Sequence, residues 1–418
     1  MRRDGMAAGA SIVSTLLAGY SGPVAVRLWD SRSTFGVPDG GCTVAFNQAW
    51  VLRDLILRHD VFRLAEAYLD GALEIEGDLE SIFDLGTHLA GLRPSWPMRL
   101  QLLRAAFRLP IKGRRIRRPK GMEFKGTHEN SQHAIAHHYD VGNEFYGLWL
   151  DPEMVYSCAY FRGAEASLAE AQRDKLDYIC RKLRLAPGQR LLDIGCGWGA
   201  LARWAASHYG VEVHGITLSR EQQTLALKRV HEDGLAQRVR IELRDYRDLR
   251  SDETYDRVVS VGMFEHIGVR NFPRYFGIVK RVLKPGGLFL NHGITSETGW
   301  RRTSLTRFMN RYIFPDGELA RISDVCDAME RAGFEVVDVE GLRRHYALTL
   351  RRWVRALQDR RVEAIGASSD ATYRLWCLYM AGCAHFFDEG DIGVYQVLAG
   401  HVRRPLPTPL RRDDLYRE

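Results

Sequence analysis

The sequence predicts an α/β protein built on a doubly wound parallel sheet, with a smaller α+β domain before it. Three observations lead to this prediction. A short apolar run at residues 191–194 stops at a glycine-rich turn and continues into a helical segment, as in a β–α–β unit. Strand-like and helix-like segments then alternate as far as residue 290. Finally, 418 residues exceed the usual size of one hydrophobic core, so two domains are expected.

The composition is that of an ordinary globular protein with a basic surface. Hydrophobic residues make up 45% of the chain and charged residues 27%, and the net charge is +7 at pH 7. This charge favours anionic partners, either lipid headgroups or nucleic acid. No run approaches the roughly 20 apolar residues of a membrane-spanning helix. The seven cysteines form no C-x-x-C pair, and their odd number predicts reduced thiols in the cytoplasm.

The first domain is predicted over residues 1–110. Strand-like alternation at Val24, Val26 and Val44 gives way to helical spacing after residue 50, and residues 10–18 predict an amphipathic helix rather than a signal peptide. The domain contains no cluster of catalytic side chains. Two interpretations stay open: a structural or dimerising module, or a lipid-carrier-like domain.

A basic segment joins the two domains. Residues 93–120 contain ten basic side chains and no acidic one, and residues 111–130 are assigned to a linker. Residues 97–109 predict a helix. Its apolar side holds Leu100, Leu103 and Phe107. A solvated linker is the simplest interpretation, but a basic amphipathic helix also suits adsorption to anionic lipid, at about 1 kcal/mol per basic residue. Nucleic acid fits the charge too, although the interleaved aromatic residues that stack bases are missing.

The glycine-rich turn spans residues 193–199, with the pattern D-x-G-x-G-x-G. Glycine permits positive φ and close approach of a ligand, and the following helix points unpaired N–H groups at the turn. A phosphate-binding loop would need Gly-Lys-Ser/Thr, and a dinucleotide site would need G-x-G-x-x-G. The spacing is similar to motif I of class I methyltransferases, which bind S-adenosylmethionine, although glycine-rich turns also serve purely structural roles.

The strands after the turn place polar side chains at the same edge of the sheet. A strand predicted over residues 211–218 ends without the carboxylate of a dinucleotide site. The polar side chains there are Thr217, Ser219 and Gln222. A strand over residues 239–243 leads into Asp245 and Tyr246, where an adenine ring would lie. Further strands are predicted over residues 255–260 and 286–290.

Two other groups of side chains have ordinary explanations when taken alone. His133 and His137 could ligate a metal from one helical face, but no matching cysteine or carboxylate set accompanies them, so no metal is predicted. Cys158 lies among aromatic residues, where core packing is its usual role. Glu265 alone would be a capping or ion-paired residue, and His292 alone a core histidine.

A series of motifs across the second domain, taken together, favours functional roles for these residues over the ordinary explanations. They lie at residues 137–143, 156–160, 193–199, 215–219, 245–248, 260–266, 290–294 and 312–317, and at Tyr346. Together they resemble the cyclopropane-fatty-acyl-phospholipid synthase family, which includes the mycolic acid cyclopropane synthases and methyltransferases. The resemblance runs from about residue 130 past residue 390.

The resemblance implies a class I S-adenosylmethionine-dependent methyltransferase fold, Rossmann-like, over residues 131–418. It implies conversion of cis double bonds in phospholipid acyl chains into cyclopropane rings. The first domain is similar to the extra amino-terminal domain of the bacterial phospholipid synthases. The expected setting is the inner face of the membrane, with the protein peripherally bound to phospholipid, no nucleic acid partner and a homodimer as one option.

The resemblance also implies two bound groups, S-adenosylmethionine and bicarbonate, the latter as the base that deprotonates a carbocation. Its catalytic positions are Cys158, Glu265, His292, the backbone of Ile294, and Tyr346. Its cofactor positions are Tyr156, Ser157, Asp193, Gly195, Gly197, Gly199, Thr217, Leu218, Ser219, Gln222, Asp245 and Tyr246. Cys158 is not expected to be a nucleophile, and His266 is expected to face away. Tyr346 and Tyr160 are candidates for aromatic faces that offset the cation.

Several alternatives accompany this prediction. Asn291 and Gly293 flank His292 where the family carries more apolar or hydroxyl side chains, which leaves the product open between a ring and a methylene or methyl branch. A second alternative is a nucleic-acid or small-molecule methyltransferase that uses the same pocket. A third is a lipid-binding protein without catalytic activity. Residues 300–314 are expected over an acyl pocket, and the aromatic-rich residues 376–387 line either an acyl tunnel or ordinary core.

Overall fold

The computed structural model describes residues 2–37, 41–58, 60–111, 142–298, 304–314 and 318–416. The strands are β1 (Val24–Arg27), β2 (Thr34–Phe35), β3 (Cys42–Phe46), β4 (Leu73–Gly77), β5 (Arg190–Ile194), β6 (Glu212–Thr217), β7 (Val239–Leu243), β8 (Tyr255–Val261), β9 (Leu283–Ser296), β10 (Phe334–Gly341) and β11 (Ile392–His401). The helices are α1 (Arg2–Leu16), α2 (Ala49–Arg58), α3 (Val61–Leu69), α4 (Ser81–Gly91), α5 (Trp96–Arg108), α6 (Asn143–Gly147), α7 (Leu168–Lys182), α8 (Ala200–Tyr209), α9 (Arg220–Glu232), α10 (Phe272–Val282), α11 (Ser304–Tyr312), α12 (Ile322–Arg331), α13 (Arg343–Asp359), α14 (Arg361–Ala367) and α15 (Asp370–Glu389).

The chain forms two compact units, but their boundaries differ from the predicted domains. The first unit combines residues 1–124 with residues 302–312 and 361–385, and the second contains the rest. The two later segments had been predicted as part of the catalytic domain. They join the first unit through side-chain contacts: Tyr312 of α11 stacks on Phe62 at 6.0 Å, and Arg374 of α15 pairs with Glu74 at 2.8 Å. The candidate tunnel residues Trp376 and Tyr379 are therefore buried in the first unit. Most of the predicted linker lies outside the described residues.

The first unit has a four-stranded sheet in the order β2-β1-β3-β4, surrounded by helices. β1 is parallel to β3, and the other neighbouring pairs are antiparallel. This arrangement confirms the predicted α+β class. The predicted amphipathic helix at residues 10–18 is the second half of α1, whose Ile12 and Val13 are buried.

α5 begins and ends within one residue of its predicted bounds, but its orientation differs from a simple core helix. Leu102, Ala105 and Ala106 are the buried residues of α5. The apolar side chains that the sequence places together, Leu100, Leu103 and Phe107, are all exposed. The side of α5 that faces the core therefore carries two small alanines, whereas most of its larger apolar side chains are exposed to solvent.

The second unit has a seven-stranded sheet in the order β10-β11-β9-β8-β5-β6-β7. The strands from β9 to β7 are parallel, as the alternating strand and helix pattern predicts. β10 and β11 add an antiparallel edge that the sequence analysis had not identified. Two clusters of buried side chains, one centred on Leu191 and Ala202 and one on Ile194 and Phe276, form the hydrophobic core.

The strand order places a ligand crevice at one position. β5 is followed along the chain by its neighbour β6 on one side, while β8 lies on its other side. In open α/β sheets the crevice forms where the order reverses, at the carboxyl ends of the strands. The glycine-rich turn follows β5 at this point. Among the described residues, no helix is long and apolar enough to cross a membrane.

Candidate functional site

A pocket open to solvent lies at the carboxyl ends of the central parallel strands of the second unit. Ten of the twelve predicted cofactor positions line it. They are Tyr156, Ser157, Asp193, Gly195, Gly197, Thr217, Leu218, Gln222, Asp245 and Tyr246. The remaining two positions, Gly199 and Ser219, are not among the residues that line it. The sequence therefore predicted the location of this pocket, whereas the roles of its side chains stay predictions.

The glycine-rich turn is fixed by backbone bonds to β6. The amides of Gly195 and Cys196 both donate to the carbonyl of Ile216, at 2.9 and 3.0 Å. Gly199 caps α8 with a φ of 81°, and a Cβ there would lie 3.2 Å from the Cβ of Ala226. Gly199 thus allows close packing of α8 against α9, and its predicted contact with the cofactor stays a prediction. The first turn of α8 points its N–H groups towards the pocket.

The far side of the pocket is held by capping interactions. Ser219 is the N-cap of α9, and its hydroxyl accepts the amide of Gln222 at 3.3 Å. The hydroxyl of Thr217 donates to the side-chain carbonyl of Gln222 at 2.7 Å. Ser219 thereby positions Gln222 rather than lining the pocket itself. The carboxylate of Asp245 accepts three hydrogen bonds from Arg247, at 2.6 to 2.9 Å. A sugar hydroxyl that binds Asp245 would therefore share the carboxylate with Arg247.

A buried lysine, Lys175, and a buried aspartate, Asp193, both line the pocket. Lys175 of α7 donates to the hydroxyl of Ser157 at 2.8 Å. Burial lowers the pKa of Lys175 to about 8 and raises the pKa of Asp193 to about 7, a rise that the charge of Lys175 opposes. Within the described chain, Asp193 Oδ2 is buried and has no hydrogen-bond partner. The pocket therefore offers Asp193 Oδ2 as a hydrogen-bond acceptor for a cationic group of a ligand.

Lys175 was missed by the sequence analysis, although its position gives a signal. Ala171, Gln172, Leu176 and Ile179 form the buried side of α7, and Lys175 falls within it at helical spacing. A lysine on the apolar side of an amphipathic helix is either snorkelling to solvent or paired in the interior. Here it is 2% exposed, so it is an interior cation.

The raised pKa of Asp193 gives a prediction for stability. Between about pH 4 and about pH 7 the unfolded chain has released this proton while the folded chain keeps it, so stability falls by about 1.4 kcal/mol per pH unit through this group. We expect the difference in free energy of unfolding, wild type minus Asp193→Asn, to fall across this window and to be constant above it. Urea unfolding at a series of pH values measures this difference. A difference that does not change with pH would contradict the assignment.

Glu265 lies in a short 3₁₀ helix, Phe264–His266, just after β8. The pairing of β8 with β9 ends at Val261 and His292. Beyond that point the amide of Ile294 has no partner on the β8 side, and it donates to Glu265 Oε1 at 3.4 Å. Burial raises the pKa of Glu265 to about 7. Its other oxygen, Oε2, is buried without a hydrogen-bond partner in the described part of the chain.

Gly293 makes room for this carboxylate. A Cβ at Gly293 would lie 2.1 Å from a ring carbon of Phe264 and 2.6 Å from Glu265 Oε2. No side chain fits these distances without displacing the turn. The glycine at this position therefore has a local steric reason.

His292 is a buried imidazole held by a glutamine. Gln396 of β11 lies directly opposite His292 of β9 in the antiparallel pairing. Its side-chain nitrogen lies 3.2 Å from His292 Nδ1, while His292 Nε2 is buried and unpartnered among the described residues. Burial lowers the pKa of His292 well below its ordinary value, with Lys175 and Lys182 adding to the effect, so the ring is neutral. Gln396 was missed, and its only signal is a glutamine inside an apolar run.

Cys158 lies on a loop that is fastened to α13. Its thiol donates to the carbonyl of Leu342, which precedes α13, at 3.8 Å. The amide of Ala159 donates to the hydroxyl of Thr349 at 3.0 Å, and the amide of Phe161 to His345 Nδ1 at 3.0 Å. Burial raises the pKa of the Cys158 thiol far above its ordinary value, so it stays protonated. A protonated thiol is a poor nucleophile, which agrees with the role predicted for it.

Aromatic rings connect the pocket with Tyr346. Tyr156, in the pocket wall, lies 5.3 Å from Trp353 between ring centroids, and Tyr346 lies edge-on to Trp353 at 6.0 Å. Phe387 packs on the other side of Tyr346 at 4.7 Å. Tyr160 instead stacks on Tyr178 at 4.4 Å, and it is not part of the pocket wall. Of the two aromatic candidates, only Tyr346 joins the cluster that reaches the pocket.

The five predicted catalytic residues lie next to the pocket rather than in its wall. Cys158 follows the lining residue Ser157, and Glu265 is followed by His266, which lines the pocket. Because His266 lines the pocket, the expectation that it faces away is not supported; its ring packs against Phe314, with 5.1 Å between the ring centroids. Burial lowers the pKa of His266 to about 4. The described residues contain no group of three His, Cys, Asp or Glu side chains suited to a metal, and His133 and His137 lie outside them.

The chain is similar in sequence to several known proteins. Residues 127–397 match the family described as mycolic acid cyclopropane synthetase, and residues 12–90 match a domain of unknown function, DUF7884. A probable fatty acid methyltransferase of Pseudomonas putida is 39% identical over 404 residues, covering 94% of this chain and 96% of that protein. The cyclopropane-fatty-acyl-phospholipid synthase of Escherichia coli is 43% identical over 263 residues, covering 62% of this chain and 66% of that protein.

A solved structure extends the comparison to the fold. The mycolic acid cyclopropane synthase CmaA1, complexed with SAH and CTAB, matches with a TM-score of 0.61 and 36% identity, covering 64% of this chain and 98% of that one. The similarity confirms the predicted class I methyltransferase fold of the second unit.

Proposed function

Because this chain belongs to the mycolic acid cyclopropane synthetase family and is a S-adenosylmethionine-dependent methyltransferase, we propose that it converts a cis double bond of an unsaturated phospholipid acyl chain into a cyclopropane ring. One observation carries the proposal: two unpartnered buried polar atoms, Glu265 Oε2 and His292 Nε2, occur at the predicted catalytic positions beside the glycine-turn pocket. A methyltransferase acting on a heteroatom would not need them.

The pocket residues fit S-adenosylmethionine. Its ammonium group matches the unpartnered oxygen of Asp193, and its carboxylate matches Lys175 and the amino end of α8. Thr217, Gln222 and Asp245 offer polar groups to the ribose, and Tyr246 offers a ring to the adenine. When bound, this cofactor supplies a sulfonium methyl group that an alkene can attack, with the C–S electron pair leaving on sulfur.

Glu265 and His292 fit bicarbonate, a small anion with one O–H group. Because the Gln396 amide nitrogen donates to His292 Nδ1, the proton of the neutral ring lies on Nε2, which can donate to an anion. Glu265 Oε2 can accept the O–H. We assign Cys158, Glu265, His292, Ile294 and Tyr346 to this site. Bicarbonate, when bound, supplies a base that takes a proton from the added methyl group, so that its C–H electron pair closes the ring.

The surrounding side chains protect a cation on the acyl chain. An alkene that has attacked a methyl group leaves positive charge on the neighbouring carbon, and water would trap it. Tyr346, Trp353 and Tyr156 offer π faces that offset positive charge without forming a bond to it. Glu265 is buried in the same unit, and its carboxylate accepts the Ile294 amide rather than relying on water.

A product assay tests the proposal. The purified protein is incubated with S-adenosylmethionine and vesicles of phosphatidylglycerol carrying cis-monounsaturated chains, and the fatty acids are identified by mass spectrometry. We expect a gain of one CH2 with loss of the double bond. No gain on any unsaturated phospholipid would refute the proposal and direct attention to small-molecule and nucleic-acid acceptors.

A second candidate function has its own support. A relative that matches over nearly the whole chain is named a probable fatty acid methyltransferase. The alternative product is a methylene- or methyl-branched chain made from the same carbocation. In the same assay it would show the added carbon without a ring.

Gln396 provides a prediction for this site. Gln396→Leu leaves His292 Nδ1 without its donor, so the ring can adopt either neutral tautomer and Nε2 loses its fixed proton. We expect kcat to fall by about 10- to 100-fold, by analogy with the loss when a partner that orients a metal-ligating histidine is removed. Affinity for S-adenosylhomocysteine should not change. Gln223→Leu, on α9, is the matched control. Unchanged kcat in Gln396→Leu, with the variant folded, would contradict this role.

A further inference from the structure

α5 carries an apolar stripe that points away from the core of the first unit. The stripe and the exposed fractions of its side chains are Trp96 (76%), Leu100 (38%), Leu103 (39%), Phe107 (65%) and Ile111 (74%). Spacings of four and three residues place the helical members on one side of α5. The core side, formed by Leu102, Ala105 and Ala106, lies elsewhere on the helix. A continuous exposed apolar patch of this kind marks a binding surface.

Arginines border the stripe on both sides. At about 100° per residue, Arg99 and Arg104 fall on opposite flanks of the stripe. Arg93 and Arg108 lie near its ends, and all four arginines are exposed. Residues 93–111 contain no aspartate or glutamate. The guanidinium of Arg53 on α2 adds a further positive charge, 5.3 Å from the ring centre of Phe107.

We propose that the α5 stripe docks the protein on an anionic phospholipid surface. Apolar side chains would enter the boundary below the headgroups, and the arginines would lie at headgroup level, the pattern of helices that lie in the plane of a membrane. Trp96 is suited to this depth, because its ring combines an apolar body with one N–H donor.

Charge argues for lipid over the other possible occupants. A second copy of the same face would bring arginines opposite arginines, with no acidic side chain in residues 93–111 to pair them. Nucleic acid would satisfy the arginines but would leave Leu100, Leu103 and Ile111 without an apolar environment. An anionic lipid surface satisfies both the charge and the apolar stripe.

The proposal deepens the proposed function, since it names the surface through which a phospholipid substrate is approached. Membrane docking is tested without a methyl donor, so the docking proposal and the proposed function can fail independently of each other. The full chain is floated with vesicles of phosphatidylglycerol and phosphatidylcholine in equal parts, and with vesicles of phosphatidylcholine alone. We expect binding to the first, weakened by salt, and much weaker binding to the second.

Variants locate the docking face. Leu103→Ser with Phe107→Ser should lower the partition coefficient by about tenfold or more, because two apolar side chains no longer enter the lipid. Arg99→Gln with Arg104→Gln should lower it by about fivefold per charge on anionic vesicles. Val362→Ser, 85% exposed on α14, and Arg32→Gln, also exposed, are the matched controls and should bind like wild type. All sites are exposed, so the variants should fold, which circular dichroism checks.

A depth measurement gives an independent test. Brominated phospholipids quench tryptophan rings that enter the boundary, so part of the fluorescence should be quenched in wild type and this part should be absent in Trp96→Phe. Several results would overturn the proposal: no binding of the wild type to anionic vesicles, equal vesicle binding by the serine double variant, or quenching unaffected by Trp96→Phe. Loss of a dimer or of DNA binding in that double variant, with vesicle binding intact, would assign the face to another partner.

Discussion

Glu265→Gln is expected to lower kcat for phospholipid by about 10²- to 10⁴-fold, the range for removing a general-base function. Glutamine has the same shape, and its carbonyl can still accept the amide of Ile294. The atom that replaces Oε2, however, is an N–H donor, which cannot accept the O–H of a bound bicarbonate. Steady-state release of S-adenosylhomocysteine measures kcat.

The fold of this variant should be intact. The pKa of Glu265, raised to about 7, means that the wild-type side chain is already partly neutral near neutral pH, so a neutral amide brings little new cost. Affinity for S-adenosylhomocysteine and the unfolding temperature should match the wild type. Glu212→Gln, at the exposed start of β6, is the control for the loss of one carboxylate. Wild-type kcat in Glu265→Gln would remove Glu265 from the catalytic site.

Lys175→Met is expected to weaken binding of S-adenosylhomocysteine by about 10- to 100-fold, the loss that follows removal of a hydrogen bond involving a charged group. Methionine has a similar length but leaves Ser157 without its donor and Asp193 without its buried counter-charge. The pKa of Asp193 should then rise above its present value of about 7, so that binding needs a higher pH. Titration calorimetry over a range of pH values measures both effects.

A double variant separates electrostatic coupling from simple damage. If Lys175 acts on the ligand partly through Asp193, then Lys175→Met with Asp193→Asn should bind only slightly worse than Lys175→Met alone. Lys228→Met, an exposed lysine of α9, is the matched control. Full additivity of the two substitutions would show that Lys175 acts on the ligand independently of Asp193. Wild-type affinity in Lys175→Met would show that the buried cation does not take part in binding.

The sequence predicted the pocket well because the pocket is made by local chain geometry. The turn after β5 and the residues after β6 and β7 meet at one edge of a parallel sheet, so their order along the chain already gives their proximity. Gly199 and Ser219 were also predicted to bind the cofactor, and spacing alone cannot separate a residue that touches a ligand from one that packs or caps a helix.

The residues that were missed depend on distant parts of the chain. Gln396 reaches His292 only because β11 pairs with β9 across 104 positions. Lys175 is interior because the loop around Ser157 covers it. α11 and most of α15 group with the first unit through contacts with Phe62 and Glu74, and such contacts are unrelated to the order of the helices in the sequence.

The measurement that tests the central claim most directly uses S-adenosylmethionine with a trideuterated methyl group. Ring closure needs removal of one hydrogen isotope from the added methyl, so a cyclopropane product keeps two deuterium atoms and has no double bond. We predict this product from vesicles of cis-monounsaturated phosphatidylglycerol, and its loss in Glu265→Gln. An added carbon with three deuterium atoms, or with two and a surviving double bond, would contradict ring formation and identify a branching methyltransferase.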